Sequence, residues 1–227
     1  SPRNAQLDVA VSPARVVGAT VEHRPATRVY ASMTSAARRA GPPVVRDEEG
    51  LASLRARGVT RALTLWPEWL LAICLLDKRV ENRPRPPFAG LIGTRIALHA
   101  GKHVGGRAAG FNDGMSAFIE TAQHAGWLVQ LVADGAGDDG VLSFVKGPAH
   151  DPTRILVAIP ADITTSAIVA TAKIGGFHRP TQAPTIPWQA SSNMGDPASY
   201  SYAWILEDVE VLPKSIVCPG MQGVWTL

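Results

Sequence analysis

The sequence predicts an α+β protein, in which a small β-barrel with two flanking helices and an inserted helix-hairpin follows an N-terminal extension. Short apolar segments with strand-like alternation recur along most of the chain, whereas two longer segments show helical spacing. Strands and helices do not alternate regularly, which argues against a parallel α/β sheet. With 227 residues, 46% of them hydrophobic, the chain can bury such a core without disulfide or metal support.

Residues 1–58 are predicted to form a Pro/Ala/Arg-rich extension ahead of one globular domain over residues 59–227. Prolines interrupt each apolar run of the extension, and small residues fill the gaps. A strand is predicted over residues 14–21. A short helix is predicted over residues 47–57, because two leucines recur there at helical spacing ahead of a glycine that can end the helix.

The first half of the domain combines strands with one helix. Residues 61–65 form a predicted strand, and Pro67 suits the first turn of a helix, where its missing N–H is harmless. Another strand is predicted over residues 78–83. A loop at 83–87 follows, because its prolines prevent both helical and ladder hydrogen bonding. Residues 90–100 then show the alternation of a strand.

The second half begins with a helix over residues 111–125, whose apolar residues recur at helical spacing and end at Gly126. A segment at 135–140 matches G-x-G-x-x-G. We interpret it as a hairpin turn, because a strand pattern follows it and its aspartates would repel phosphate. The other strands are predicted at 127–133, 141–145, 154–159, 167–177 and 200–212.

The distribution of charge predicts an anion-binding surface. The net charge is only +3, but residues 78–107 hold seven basic residues and one acidic residue, Glu81. Acidic residues are in excess after this stretch. A basic stretch in an otherwise acidic domain is typical of sites for phosphates or nucleic acid. A solvated basic surface without a ligand is the alternative.

Several other classes of protein are not expected. No apolar run is long enough to span a bilayer, and Cys74 and Cys218 are too few for a disulfide scaffold, so we expect no membrane partner and a cytoplasmic location. His99 and His103 are four residues apart but lie outside any predicted helix, so no metal site is expected. No cofactor motif indicates a bound cofactor, and the sequence leaves the oligomeric state open.

Four motifs carry the most specific signal in the chain. They are WPEWLLAICLLDKRVENR (66–83), GTRIALHAGK (93–102), YAWILE (202–207) and GMQGVW (220–225). In their order and spacing they resemble the activating-signal-cointegrator homology (ASCH) domain, a member of the PUA-like β-barrel superfamily. The resemblance covers roughly residues 61–227.

The resemblance implies a PUA-like barrel with an insertion at about 111–155. Family members that hydrolyse acetylated cytidine carry Lys-x-x-Thr, in which the lysine activates the threonine as a nucleophile. Here Lys78 is kept, but Glu81 stands at the threonine position. A carboxylate cannot replace the hydroxyl in that step, so we do not expect this activity.

We predict a nucleic-acid-binding module that holds RNA, single-stranded nucleic acid or a modified nucleotide in a basic cleft. Basic side chains would hold phosphates, while Glu81 and Gln222 would pair with the edge of a base. The predicted binding residues are Lys78, Arg79, Glu81, Asn82, Arg83, Arg85, His99, Lys102, Gln222 and Gly223.

Three geometric expectations accompany this prediction. Lys78 and Glu81, three apart on one predicted strand, should leave it on opposite faces. His99, Lys102 and the loop at 220–223 should border the same cleft as Glu81, and Trp188 should be exposed.

A small hydrolase acting on a nucleoside amide or an RNA phosphodiester is the alternative function, with Lys78, Glu81 and His99 as acid–base groups. A protein-interaction platform is a third possibility. For Glu81 itself, the alternative to base recognition is a structural carboxylate held between the guanidinium groups of Arg79 and Arg83.

Overall fold

The protein is described by a computed structural model, which covers residues 46–102, 111–132, 140–159, 163–181, 186–190 and 201–227. Within these residues the chain forms three α-helices and nine strands. The helices are α1 (Glu48–Ala56), α2 (Pro67–Leu75) and α3 (Phe111–His124). The strands are β1 (Arg61–Leu65), β2 (Val80–Arg83), β3 (Arg95–Ala100), β4 (Leu128–Val132), β5 (Gly140–Lys146), β6 (Thr153–Ile159), β7 (Ala167–His178), β8 (Tyr202–Val217) and β9 (Val224–Thr226).

The strands form two sheets. The larger has six strands in the order β2-β8-β7-β3-β1-β9, with β1 parallel to β3 and the other described pairs antiparallel. The smaller is the antiparallel sheet β4-β5-β6. The fold is therefore a mixed α+β fold with few helices, as the sequence predicts.

The larger sheet is curled into a half-barrel. The register between β7 and β8 shifts at three places, and such bulges bend strands and increase their twist. As a result, β2 at one edge lies close to β1, although three strands separate them in the sheet order. Nη2 of Arg83 on β2 donates a hydrogen bond of 2.8 Å to the carbonyl oxygen of Thr64 on β1.

The hollow of the half-barrel is filled by α2. Leu70 and Ile73 of this helix share a buried cluster with Leu63, Ile96 and Leu98 of the sheet. Pro67 stands at the first helical position, where no intrahelical N–H is needed.

The opposite face of α2 belongs to a second core. Leu71 and Leu76 pack in one cluster with Phe118 of α3 and Phe144 of β5. The indole N–H of Trp127 also donates a hydrogen bond of 3.1 Å to the carbonyl oxygen of Leu76. Apart from Glu68, the residues of α2 are apolar around the whole helix, which explains why α2 is buried between the two sheets.

The outer face of the larger sheet is covered by α1. Leu51 and Leu54 are buried against Ile216 and its neighbours, and the carboxylate of Asp47 caps the first turn by accepting from a backbone N–H at 2.9 Å. The described end of the N-terminal extension, residues 46–58, is thus packed on the sheet. The strand predicted at 14–21 lies outside the described residues.

The predicted elements are confirmed within the described residues, and three strands differ in extent by more than one residue. The strand predicted from residue 78 begins at Val80, after a positive φ of 55° at Asp77. The strand predicted from residue 90 begins at Arg95, because a 3₁₀ turn at Ala89–Leu91 and a positive φ of 82° at Gly93 precede it. The strand predicted to end at residue 212 continues through Pro213 to Val217. Proline is tolerated there because β2 pairs with β8 only near its start.

We predict that Leu54→Ala lowers the free energy of unfolding by about 2–5 kcal/mol, the usual cost of a cavity in a core. Denaturant unfolding would measure the loss. Ala52→Ser, on the exposed side of α1, should change it by less than about 0.5 kcal/mol. Equal, small effects of both changes would contradict the view that α1 is part of the folded unit.

Candidate functional site

An open cleft of about 870 Å³ lies between α2, the start of β2, α3 and the segment 186–190. One wall carries Lys78, Glu81 and Asn82, and another is formed by α3. The lining residues are Trp69, Lys78, Glu81, Asn82, Ala117, Glu120, Thr121, His124, Ile186, Pro187, Trp188, Gln189 and Ala190.

A buried ion pair forms the floor of this cleft. Lys78 is only 1% exposed, and its ammonium donates to Oε2 of Glu81 at 3.1 Å and to the carbonyl oxygen of Val80. The ammonium also lies 5.8 Å from the centre of the Trp69 ring. Burial lowers the pKa of Lys78, while the carboxylate of Glu81 opposes this shift.

The expectation that Lys78 and Glu81 point to opposite faces is wrong. The strand begins at Val80, so Lys78 lies before it, just after Asp77 with a φ of 55°. Strand alternation therefore does not apply between the two residues. The lysine side chain folds back and meets the glutamate directly.

A second cation binds the other oxygen of Glu81. Nε of Arg83 lies 3.1 Å from Oε1, in an ionic contact that is not aligned as a hydrogen bond. Arg79 does not take part, because its guanidinium donates to the carbonyl oxygens of Ile73 and Lys78 near the end of α2. The carboxylate is therefore held between Lys78 and Arg83, not between Arg79 and Arg83.

Asn82 attaches the third wall of the cleft. Its amide nitrogen donates to the carbonyl oxygen of Trp188 at 2.8 Å, and its amide oxygen accepts from the N–H of Ala190 at 3.0 Å. The expectation that Trp188 is exposed is wrong, since its side chain is only 3% exposed and packs in the core beside α3. Asn82 thus positions the segment 186–190 against β2.

The helix α3 supplies polar residues that the sequence analysis did not identify. Glu120, Thr121 and His124 line the cleft together with Ala117. These positions follow the i, i+3, i+4, i+7 spacing of one helix face. The sequence signal that could have identified this wall is the recurrence of polar residues at this spacing, opposite the apolar positions of the same helix.

His99 lies away from the cleft. It is 2% exposed, its Nδ1 is 3.2 Å from the hydroxyl of Thr64, and its Nε2 donates to the carbonyl oxygen of Cys218 at 3.1 Å. The imidazole also makes an edge contact with Trp225, and a Cβ at Gly220 would collide with it. Burial lowers the pKa of His99.

The other predicted site residues lie outside the cleft lining, where Lys102, Arg85 and Gln222 are exposed and Gly223 is half-buried. Lys102 follows β3, and Gln222 and Gly223 precede β9, near the carboxyl end of β1. Arg85 is exposed in the loop after β2, where its carbonyl oxygen accepts from the indole of Trp204 at 2.8 Å.

The basic stretch of the sequence does not form one basic wall. Arg95, for example, donates to the hydroxyl of Thr171 and lies 3.9 Å from carboxylate oxygens of Asp208 and Glu210. The cleft itself contains one lysine and two glutamates. It is therefore better suited to a polar, uncharged group than to a run of phosphates.

Two absences concern the part of the chain that the structure describes. No helix there has the length and apolar character needed to cross a membrane. No three His, Cys, Asp or Glu side chains in these residues lie close enough together to hold a metal ion.

No protein-family model matches the chain. No curated protein is significantly similar to it. The likeness to the ASCH domain therefore rests on the four motifs and their spacing.

We predict that His99 makes the protein less stable in acid. Its pKa in the folded state is below the ordinary value of about 6.5, so below that pH the unfolded chain binds the proton more readily. Stability is fully present above about pH 6.5 and falls as the pH drops towards the folded pKa. Melting temperatures between pH 7.5 and 5 would measure the loss.

The matched variants for this test are His99→Gln and His178→Gln. Glutamine at position 99 keeps a donor for the carbonyl of Cys218 but does not titrate, so the fall in melting temperature should become smaller. His178 is exposed, and its replacement should leave the slope unchanged. Identical slopes in all three proteins would contradict the prediction.

Proposed function

We propose that the chain is a nucleic-acid-binding module of the PUA-like type, which takes one base of RNA, of another single strand or of a modified nucleoside into the cleft. The observation that carries this proposal is the carboxylate of Glu81, held between Lys78 and Arg83 beside Trp69 at the cleft. A carboxylate is the acceptor suited to the exocyclic amine of a base.

The size of the cleft supports this proposal. About 870 Å³ falls in the range of small-molecule sites, which is 300–1,000 Å³. Each oxygen of Glu81 contacts one cation, and each carboxylate oxygen has a second lone-pair site. Glu81 can therefore accept from a ligand without losing its partners in the protein.

The distribution of charge indicates that the cleft binds the base and that the surface around it binds the phosphates. The cleft is not basic, so the base is bound there by polar pairing and by contact with Trp69. Phosphates are held outside it by exposed or half-exposed cations, namely Arg83, Arg85 and Lys102. The order of the four ASCH-like motifs supports the same assignment.

A hydrolase remains the second candidate, because a buried lysine with a lowered pKa beside a carboxylate is a proton-transfer pair. The pair opens on a cleft that could admit a nucleoside amide. His99 lies outside this cleft, which leaves Lys78 and Glu81 as its acid–base groups.

We predict that Glu81 governs base preference. Glu81→Gln alone leaves the buried ammonium of Lys78 uncompensated and should cost about 3–5 kcal/mol of stability. The paired change Lys78→Met with Glu81→Gln removes both charges, so the fold should be retained. Discrimination among the four nucleosides should then fall by about 1–3 kcal/mol, measured by calorimetric titration.

Glu207→Gln is the matched control, since Glu207 is an exposed carboxylate paired with Lys173. It should leave both stability and base preference close to those of the parent protein. A paired Lys78 and Glu81 variant that folds and keeps its base preference would assign Glu81 a structural role only.

We predict that acetylated cytidine stays intact when incubated with the protein. The described cleft offers a carboxylate at the position where the acetyl-hydrolysing family members carry their threonine. Acetate release should equal that of the Lys78→Met variant. Release well above that control would favour the hydrolase.

A further inference from the structure

The carboxyl end of β1 gathers exposed side chains from several parts of the chain. β1 and β3 run in parallel with Leu65 opposite Ala100, so both strands end at the same edge of the sheet. The turn before β9 lies at that edge as well, because β9 pairs with β1. The exposed side chains there, named the edge patch below, are Trp66, Lys102, Met221 and Gln222.

The backbone that carries the edge patch is held by hydrogen bonds to β1. The N–H of Thr64 donates to the carbonyl oxygen of Gly223 at 3.0 Å, and its hydroxyl donates to that of Met221 at 2.6 Å. The N–H of Gly101 donates to the carbonyl oxygen of Leu65 at 2.8 Å. The exposed side chains therefore project from a fixed framework.

Arg83 connects the edge patch to the cleft. One end of its guanidinium donates to the carbonyl oxygen of Thr64 at 2.8 Å, and its Nε lies 3.1 Å from Glu81 on the cleft floor. Its side chain is 24% exposed. The cleft and the edge patch are thus neighbouring parts of one surface.

Two tryptophans lie one helical turn apart across this junction. Trp66 is the residue just before α2 and is 49% exposed, while Trp69 is half-buried and lines the cleft. The N–H of Trp69 donates to the carbonyl oxygen of Trp66 at 3.1 Å. Trp66 precedes the first helical residue in an extended conformation, so the two rings extend from backbone positions one turn apart. Exposed aromatic rings bind the successive bases of single strands by stacking.

We propose that the edge patch binds the nucleotide next to the base in the cleft, so that the ligand is a single strand and not a free nucleoside. This rests on the proposed function of the cleft. Trp66 stacks on the neighbouring base, and Gln222 offers a donor and an acceptor to its edge. Two cations bind its phosphates. They are Lys102, which follows β3, and Arg83, which is hydrogen-bonded to Thr64 on β1.

The test compares the affinity of the full chain for single-stranded RNA octamers of A, C or U with its affinity for the corresponding nucleosides. The preferred octamer should bind at least about tenfold more tightly, because a stack and phosphate contacts are added. Trp66→Ala should weaken octamer binding roughly 5- to 150-fold and leave nucleoside binding unchanged. Trp66→Phe should restore most of the loss.

Lys102→Ala should reduce the salt dependence of octamer binding, with a slope of log affinity against log salt smaller by about 0.7. Phe88→Ala is the control for Trp66, since Phe88 is similarly exposed but lies over Arg61 at the other end of β1. Lys214→Ala, on the exposed side of β8, is the control for Lys102. Neither control should change octamer affinity or its slope.

The outcomes separate this inference from the function on which it rests. Nucleoside binding with no gain for octamers would overturn the edge patch and leave the cleft function standing. A gain for octamers that survives Trp66→Ala and Lys102→Ala would overturn it too. A loss that Trp66→Phe does not restore would also reject stacking, and failure of nucleosides and octamers alike would overturn both proposals.

Discussion

The buried ammonium of Lys78 is the constraint on which the rest of the site depends. A charge taken out of water costs several kcal/mol unless other groups compensate for it. Here Glu81, the carbonyl oxygen of Val80 and the face of Trp69 surround the ammonium. In the proposed function, the carboxylate that neutralises the lysine is the same group that accepts from a ligand, so stability and recognition would depend on one pair of residues.

Arg83 extends this constraint to the architecture of the barrel. It pairs with Glu81 and also donates to the carbonyl oxygen of Thr64 on β1, although three strands lie between β2 and β1 in the order of the sheet. The curl of the sheet is thus coupled to the floor of the cleft. The burial of both faces of α2 places Trp69 between the half-barrel and the second layer formed by α3 and the smaller sheet.

The predicted site residues that line the cleft are close together in the sequence, whereas those far from β2 in the sequence do not line it. Asn82 and Glu81 follow each other on β2, and the structure places both at the cleft. His99 and Gln222 are distant in sequence from this strand, and neither lines the cleft. The basic residues described within 78–107 do not form one basic surface, because Arg79 binds the end of α2 and Arg95 binds residues on β7 and β8. Basic residues that are close in the sequence need not point in the same direction, because their long side chains bind different partners.

The helices and strands and most of their limits follow from the sequence, because periodicity, prolines and glycines act within a few residues. The sequence also identifies Glu81 as the acidic residue of the basic stretch. Three features of the site follow from long-range packing instead: Lys78 folds back onto Glu81, His99 is enclosed beneath Gly220, and α3 forms a wall of the cleft. These features depend on which faces pack together, and the curl of the sheet sets that packing through contacts between residues far apart in the chain.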